Sequence, residues 1–280
     1  MMNVISGHLV CPVCSLALTQ QGSSLSCEQK HCYDQAKQGY WNLLLVQRKR
    51  SRDPGDNPQM VAARTHFLDQ HCYQPLADKV CTEVQQALTD KPNARLLDMG
   101  CGEGYYTVQV EKALSGMQVE IIGLDISKHA IKAACRRSKS IHWLVASGAQ
   151  MPVPEQSQDL LLVMFSRLMP AAFAKVVKPA GLLLLAWPAQ DHLLELRQSI
   201  YDEIKVSEYD PTAELAALFS CEKVDNLRFQ FSLKSAQDIQ ALLDMTPHSQ
   251  RISAETTSKL LAAVPLNLTF HVNLGFFRRL

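Results

Sequence analysis

Apolar residues along this chain fall into two rhythms, short solid runs and stripes repeating at helical spacing. The run at 96–99 enters an alternation of glycines at 100, 102 and 104, and a helical pattern follows. That order predicts a buried strand, a glycine-rich turn and the start of a helix. Further solid runs predict strands at 119–124, 142–145, 159–165 and 182–187. The fourth of these strands, at 159–165, is almost wholly apolar, as expected of a strand covered on both faces. Helical spacing links Met60, Ala63, Phe67 and Leu68, breaks near 73–75, and resumes through Leu76, Val80, Val84 and Leu88. Helices are also expected from the N-cap Ser127 through Arg137, and over 171–177, 191–201 and 235–245, with a turn at 178–181. Strands at 228–233 and 266–276 would close the set, giving an α/β fold.

The chain has 280 residues, enough for one large α/β domain and a small module. Organisation along it predicts a module at 1–35, a connector at 36–90 and a large domain at 91–280. A net charge of +1 does not announce nucleic-acid binding, so any such claim must rest on local patches. The first ten residues carry no basic segment and no long apolar core, so neither a signal peptide nor a membrane span is expected. Nine cysteines without a secretion signal fit a reducing compartment, and the expected location is cytoplasmic.

The glycine turn reads D-x-G-x-G-x-G from Asp98 to Gly104, whereas dinucleotide-binding turns read G-x-G-x-x-G and cradle a pyrophosphate. A carboxylate just before the turn would repel a pyrophosphate and suits a ligand carrying an ammonium group. Downstream, the strand at 119–124 ends in Asp125, where such folds place an acid on a ribose diol. Asp98, Gly100, Gly102, Gly104 and Asp125 together resemble motif I and the following acidic position of class I S-adenosylmethionine (SAM) methyltransferases. In that pattern the loop after the third strand lies against the adenine. Ser147 can bond a ring nitrogen or amine there, or serve as a plain turn residue.

The N-terminal module is sharply spaced: Cys11-x-x-Cys14, then Cys27 and His31. Two pairs of soft ligands on tight turns can converge on a tetrahedral zinc. A closed sphere of four ligands leaves no position for a catalytic water, so the zinc would be structural. Leu16, Leu18, Leu25 and the Gly-Ser-Ser stretch at 22–24 fit a short hairpin too small to fold without that staple. Spacing alone lets Cys32 compete with His31.

Arg48, Lys49, Arg50 and Arg52 precede an Asp-Pro-Gly turn. Such a run is commonly a solvated face, and beside glycine and aromatics it also suits RNA phosphates. Tyr73, at the joint between the two helical stripes, is either an aromatic lid or a core residue. His192, in the first turn of the helix expected at 191–201, either faces the site or caps. The exit of the fourth strand, at 164–170, lacks the Asn/Asp-Pro-Pro-aromatic turn of amino-group methylases. That leaves ring nitrogens, oxygens or small molecules as acceptors.

The whole chain resembles the bacterial 23S rRNA guanine-N1-methyltransferase family that modifies hairpin 35, its Gram-negative branch acting on guanine 745. The resemblance runs through CPVC…C…H at 11–31, GYWNLL at 39–44, KRSRDPGD at 49–56, YQPL at 73–76, DMGCGEGYYT at 98–107, HLLELR at 192–197 and LLDMTP at 242–247. It implies a Rossmann-like, seven-stranded, mostly parallel sheet with a small zinc module, acting on 23S rRNA, and a homodimer whose zinc modules form one RNA cleft. It also implies zinc at Cys11, Cys14, Cys27 and His31, which selects His31 over Cys32. For SAM it implies contacts from Tyr73, Gly102, Glu103 and His192. The chain departs from the family at Cys32, at Tyr33 where relatives often carry Phe, and at Ala180, which replaces a turn glycine.

Guanine N1 carries a proton near neutrality, so the expected chemistry is in-line displacement with deprotonation at N1 and charge moving onto O6. Arg167 is a candidate to stabilise O6, and no residue stands out as a base. Two other readings fit parts of the same pattern: a methyltransferase of a small metabolite, and a catalytically silent RNA-binding protein that holds zinc and SAM.

Overall fold

The expected hairpin forms around a turn at 22–23. In the computed structural model, which describes residues 7–45, 47, 51–201, 203–204, 209–246 and 252–280, β1 (Thr19–Gln21) and β2 (Ser24–Ser26) pair antiparallel. A further strand, β3 (Cys32–Asp34), adds to their edge. So small a sheet cannot enclose a core of its own. Leu9, Leu18 and Leu25 are instead wholly buried in a cluster that continues into Leu97, Ile122 and Leu144. Arg48, Lys49 and Arg50, and Pro247 of the LLDMTP segment, lie outside the described residues.

Leaving this ribbon, β4 (Trp41–Asn42) pairs in parallel with β7 (His142–Val145), and Trp41 and Trp143 are almost fully buried. Two helices follow, α1 (Pro58–Asp69) and α2 (Gln74–Leu88). Asn57 caps α1 by accepting from the amides of Gln59 and Met60, and Pro58 fills the first helical position where its missing N–H costs nothing.

The central sheet then builds outward from β5 (Ala94–Met99), with β6 (Val119–Asp125), β8 (Gln158–Met164) and β9 (Val177–Pro188) in parallel register. Helices α3 (Tyr105–Ala113), α4 (Lys128–Arg137) and α5 (Pro170–Val176) make the crossovers. Ser127 caps α4 as expected, accepting from the Ala130 amide. Helices α6 (Leu194–Ile200) and α7 (Thr212–Leu215) precede β10 (Phe219–Leu233), and α8 (Ala236–Met245) and α9 (Ala254–Ala262) precede β11 (Leu266–Arg279). The sheet order is β10-β11-β9-β8-β5-β6-β7-β4, with β10 and β11 antiparallel. The seven expected strands are present, and β4 supplies an eighth. Among the described residues no helix is long and apolar enough to cross a membrane.

Four expectations need correction. β10 starts nine residues before the expected Arg228, because its outer face is exposed and its first half carries little apolar signal. β8 stops at Met164, and Phe165 turns out of the strand with φ of 53°. α6 begins at Leu194, so His192 lies in the turn before the helix, with Leu193 in a left-handed conformation.

The turn expected at 178–181 is an irregularity within β9, between residues that pair with Gln158 and with Leu160. Ala180 there takes φ of 57° and its side chain is exposed, so the backbone holds a conformation suited to glycine. We therefore expect Ala180→Gly to raise stability by about 1 kcal/mol. A thermal melt should move up by a few degrees; a lower melting temperature would show that the left-handed turn carries no strain.

Candidate active site and metal centre

Two knuckle turns converge in the ribbon. The Ser15 amide donates to the Cys11 carbonyl (2.8 Å) and the Lys30 amide to the Cys27 carbonyl (2.8 Å), with Ser15 and Lys30 both at positive φ. These turns bring Cys11, Cys14, Cys27 and His31 together, their ligand atoms all within 4.8 Å of one another. Tetrahedral zinc bonds of about 2.0 to 2.3 Å require ligand-to-ligand edges of about 3.3 to 3.8 Å. Cys11 Sγ to His31 Nδ1 is 3.5 Å, Cys27 Sγ to His31 Nδ1 is 3.4 Å and Cys14 Sγ to Cys27 Sγ is 3.6 Å. The donor set and its dimensions therefore fit zinc. Cys32 is exposed on β3 and stands outside the cluster. The Tyr33 hydroxyl, absent from a phenylalanine, lies 3.1 Å from Cys11 Sγ and can donate to it as a thiolate.

At the carboxyl edge of the central sheet, Asp98 is 1 % exposed. The Thr107 hydroxyl donates to its Oδ2 at 2.6 Å, while Oδ1 is buried without a partner. Burial pushes this carboxyl up to about 7, with the charges of Asp125 and Glu103 adding to the effect against the Thr107 hydrogen bond. A buried acceptor left unsatisfied beside a glycine loop suits a cationic ligand group.

Gly100 follows with φ of 78°, and a Cβ there would meet Ser166 Oγ at 2.4 Å. Gly104, with φ of 85°, lets α3 begin against Trp143, whose ring a Cβ would meet at 2.9 Å. Gly102 also has positive φ, and its amide donates to Asp125 Oδ2 at 3.0 Å. The Ser127 amide donates to Asp125 Oδ1 at 2.7 Å, so the acid closing β6 is braced by two amides. Burial raises its pKa and these two hydrogen bonds oppose the rise.

A cleft of about 480 Å³ opens at this edge, lined by Gly100, Asp125, Ser147 and Arg167 among the expected residues. Pro12 of the ribbon and the segment Leu43, Leu44 and Leu45 form part of its wall. Gln150 Nε2 donates to the Pro12 carbonyl at 3.1 Å and the Val10 amide to the Pro152 carbonyl at 3.0 Å, fastening the ribbon there. The Ser147 hydroxyl accepts from the Ala149 amide at 3.3 Å and keeps its own proton free to donate.

Glu103 is buried beside the loop. It is 2 % exposed and receives Arg137 Nη2 at 3.3 Å and the Tyr105 amide at 3.3 Å. Tyr73 sits in the core, one of its two expected places. It is buried among Phe67, Phe231 and Phe270, with its ring centroid 6.1 Å from that of His192. His192 stacks in turn on Phe165 at 6.3 Å.

Phe165 is the functional candidate that the strand pattern hid. It is an exposed aromatic in a left-handed backbone at the exit of β8, and its amide is held by the Ala186 carbonyl at 3.1 Å. A bulky residue with positive φ costs on the order of 1–3 kcal/mol and persists where the surroundings impose it.

Comparison with known proteins places these two assemblies. Residues 9–52 match the family model described as RlmA, N-terminal, a zinc ribbon, and residues 96–181 match a methyltransferase domain. The second match spans the glycine loop, Asp125, β8 and the part of the cleft wall that includes Ser147 and Arg167. The chain is a SAM-dependent methyltransferase. The Cys/His cluster fits the structural zinc of such a ribbon, and Asp98, with an unpartnered Oδ1 beside the glycine loop, fits the donor. The chain is 28% identical over 276 residues to the 23S rRNA (guanine(748)-N(1))-methyltransferase of Streptomyces fradiae, covering 95% of this chain and 96% of the relative. It is also 28% identical over 272 residues to YxjB of Bacillus subtilis, provisionally named a 23S rRNA guanine-N1-methyltransferase, covering 94% of both. A malonyl-[acyl-carrier protein] O-methyltransferase of Serratia marcescens is 28% identical over 49% of this methyltransferase and 57% of its own length.

Two measurements follow from these geometries. Tyr33→Phe removes a hydrogen bond to a metal ligand and should weaken zinc binding roughly tenfold in competition with a chromophoric chelator. Unchanged affinity would show that the hydroxyl does not tune the site. For Asp98, a folded pKa near 7 against an ordinary 3.8 means that the ligand-free fold loses stability as pH rises between those values. A cationic ligand group favours the ionised form, so SAM affinity should rise as pH passes through about 7. Calorimetry on Asp98→Asn should show roughly tenfold or greater loss of SAM affinity, with that pH dependence gone. An equally steep profile in the variant would remove Asp98 from the donor site.

Proposed function

We propose that this methyltransferase acts in the cytoplasm on 23S rRNA, moving a methyl group to N1 of a guanine in hairpin 35, at position 745. One observation carries this reading: a zinc ribbon forms part of the wall of the donor cleft, so whatever enters beside SAM meets the ribbon as well. The names of the two full-length relatives support the same substrate class. A homodimer belongs to the reading too, with two ribbons gripping one RNA.

SAM, when bound, supplies a sulfonium methyl group open to in-line attack. Asp98 Oδ1 holds the donor's ammonium, the backbone at Gly100, Gly102 and Gly104 lets it approach, and Asp125 and Ser147 meet ribose and adenine. Tyr73 and His192 act behind the surface, backing the Phe165 ring, and Glu103 acts by fixing the loop through Arg137. Phe165 stacks on the extruded guanine, an arrangement suited to a base taken out of its helix. Arg167, exposed in the wall of the donor cleft, faces the charge that develops on O6 as N1 loses its proton.

Mass mapping of 23S rRNA from cells with and without the gene tests the target directly. The mark should vanish from one guanine of hairpin 35 without the gene and return with the wild-type protein. Phe165→Ala should restore it about tenfold more slowly or worse while SAM affinity stays unchanged, given the usual worth of base stacking. An unaltered 23S rRNA map, with methyl transfer to a small-molecule extract instead, would overturn the reading.

A further inference from the structure

The segment 126–140 contains Lys128, His129, Lys132, Arg136, Arg137 and Lys139 and not one acidic residue, in a chain whose net charge is only +1. Three of its side chains are already engaged. His129 meets Asp53 at 2.8 Å, Arg137 meets Asp69 at 2.9 Å and Glu103 at 3.3 Å, and Lys139 donates to the Gln38 carbonyl. Lys128, Lys132 and Arg136 have no carboxylate partner among the described residues. They recur every four residues along α4, which puts them on one side of the helix with a rise of about 6 Å per step. Lys132, Arg136 and His129 line a groove of about 570 Å³ between α4 and α1, whose other wall carries His66, Thr65 and Val61.

We infer that this groove is a second RNA contact, a track for the phosphates of the strand that leads away from the guanine in the donor cleft. The inference rests on the rRNA reading given above. Its position supports a long polyanion over a compact one. α4 starts three residues after Asp125, which lines the donor cleft, so the unpaired cations step away from the cleft one helical turn at a time. The loop that follows Arg52 is moored at the same place. Ser127 Oγ donates to the Asp56 carbonyl at 2.6 Å, Gly55 packs on Ser127, and Asp53 holds His129. Arg52, next to Asp53, thus adds its charge to the stripe along α4. Contacts of this kind fix register and orientation without reading sequence, as a hairpin substrate requires on the side that the ribbon does not cover.

The test uses the full-length, zinc-loaded protein and an unmodified 23S rRNA transcript. Lys128→Gln/Lys132→Gln/Arg136→Gln removes the stripe, and Lys91→Gln/Lys112→Gln/Lys234→Gln removes equal charge elsewhere. Log affinity plotted against log salt should lose about 2 units of slope in the groove variant, from three phosphate contacts at roughly 0.7 to 0.9 each. RNA affinity should fall about tenfold or more near 0.1 M salt, and KM for RNA should rise to match. kcat, SAM affinity and melting temperature should stay at wild-type values. An unchanged slope and KM would overturn the inference, as would equal losses in both variants, which would assign the effect to net charge. A wild-type protein that neither binds nor methylates the transcript would bring down the rRNA reading itself, and this inference with it.

Discussion

A carboxylate is buried at the end of the central strand with only one of its oxygens satisfied, and much of the molecule is arranged around that imbalance. Asp98 holds its place through Thr107, one turn into α3, so the helix that starts the loop also orients the acid before it. Asp125 and Glu103 stand near enough to raise the cost of its charge, and each is restrained by its own donors, two amides in one case and Arg137 with an amide in the other. A site so poor in counter-charge holds its ionised form at a cost, which a proton relieves when it is empty and a cationic ligand group relieves when it is filled.

The ribbon is integrated with this edge rather than tethered to it. Its leucines share a cluster with one face of the central sheet, and Trp41, just beyond it, extends that sheet beside β7. A metal with four ligands therefore does more than close a hairpin. It fixes the backbone of Pro12, and so part of the outline of the cleft.

Local pattern revealed most of the scaffold. The strand, loop and helix around Gly100, the Ser127 cap and the spacing of Cys11, Cys14, Cys27 and His31 are written in consecutive residues, and the structure repeats them. What escaped depends on partners far along the chain. Glu103 reads as a loop carboxylate until Arg137 is brought across to it, and β4 is two residues that signify nothing without β7. The early part of β10 pairs along β11 with an outward face of charged residues, which hides it from any test of hydrophobic rhythm. Phe165 looked like one more buried strand residue because the turn that ejects it comes from backbone conformation and not from composition.

The shared core under the ribbon also bears on how such a protein ages in a cell. Thiolates that lose their metal become open to oxidation, and here the damage would not stay at the periphery. Unfolding the knuckles uncovers Leu9, Leu18 and Leu25 together with the flank of the sheet that they cover, which is the kind of sticky surface that proteolysis and aggregation exploit. Metal supply and the lifetime of the whole enzyme are thereby coupled through nothing more elaborate than a few leucines.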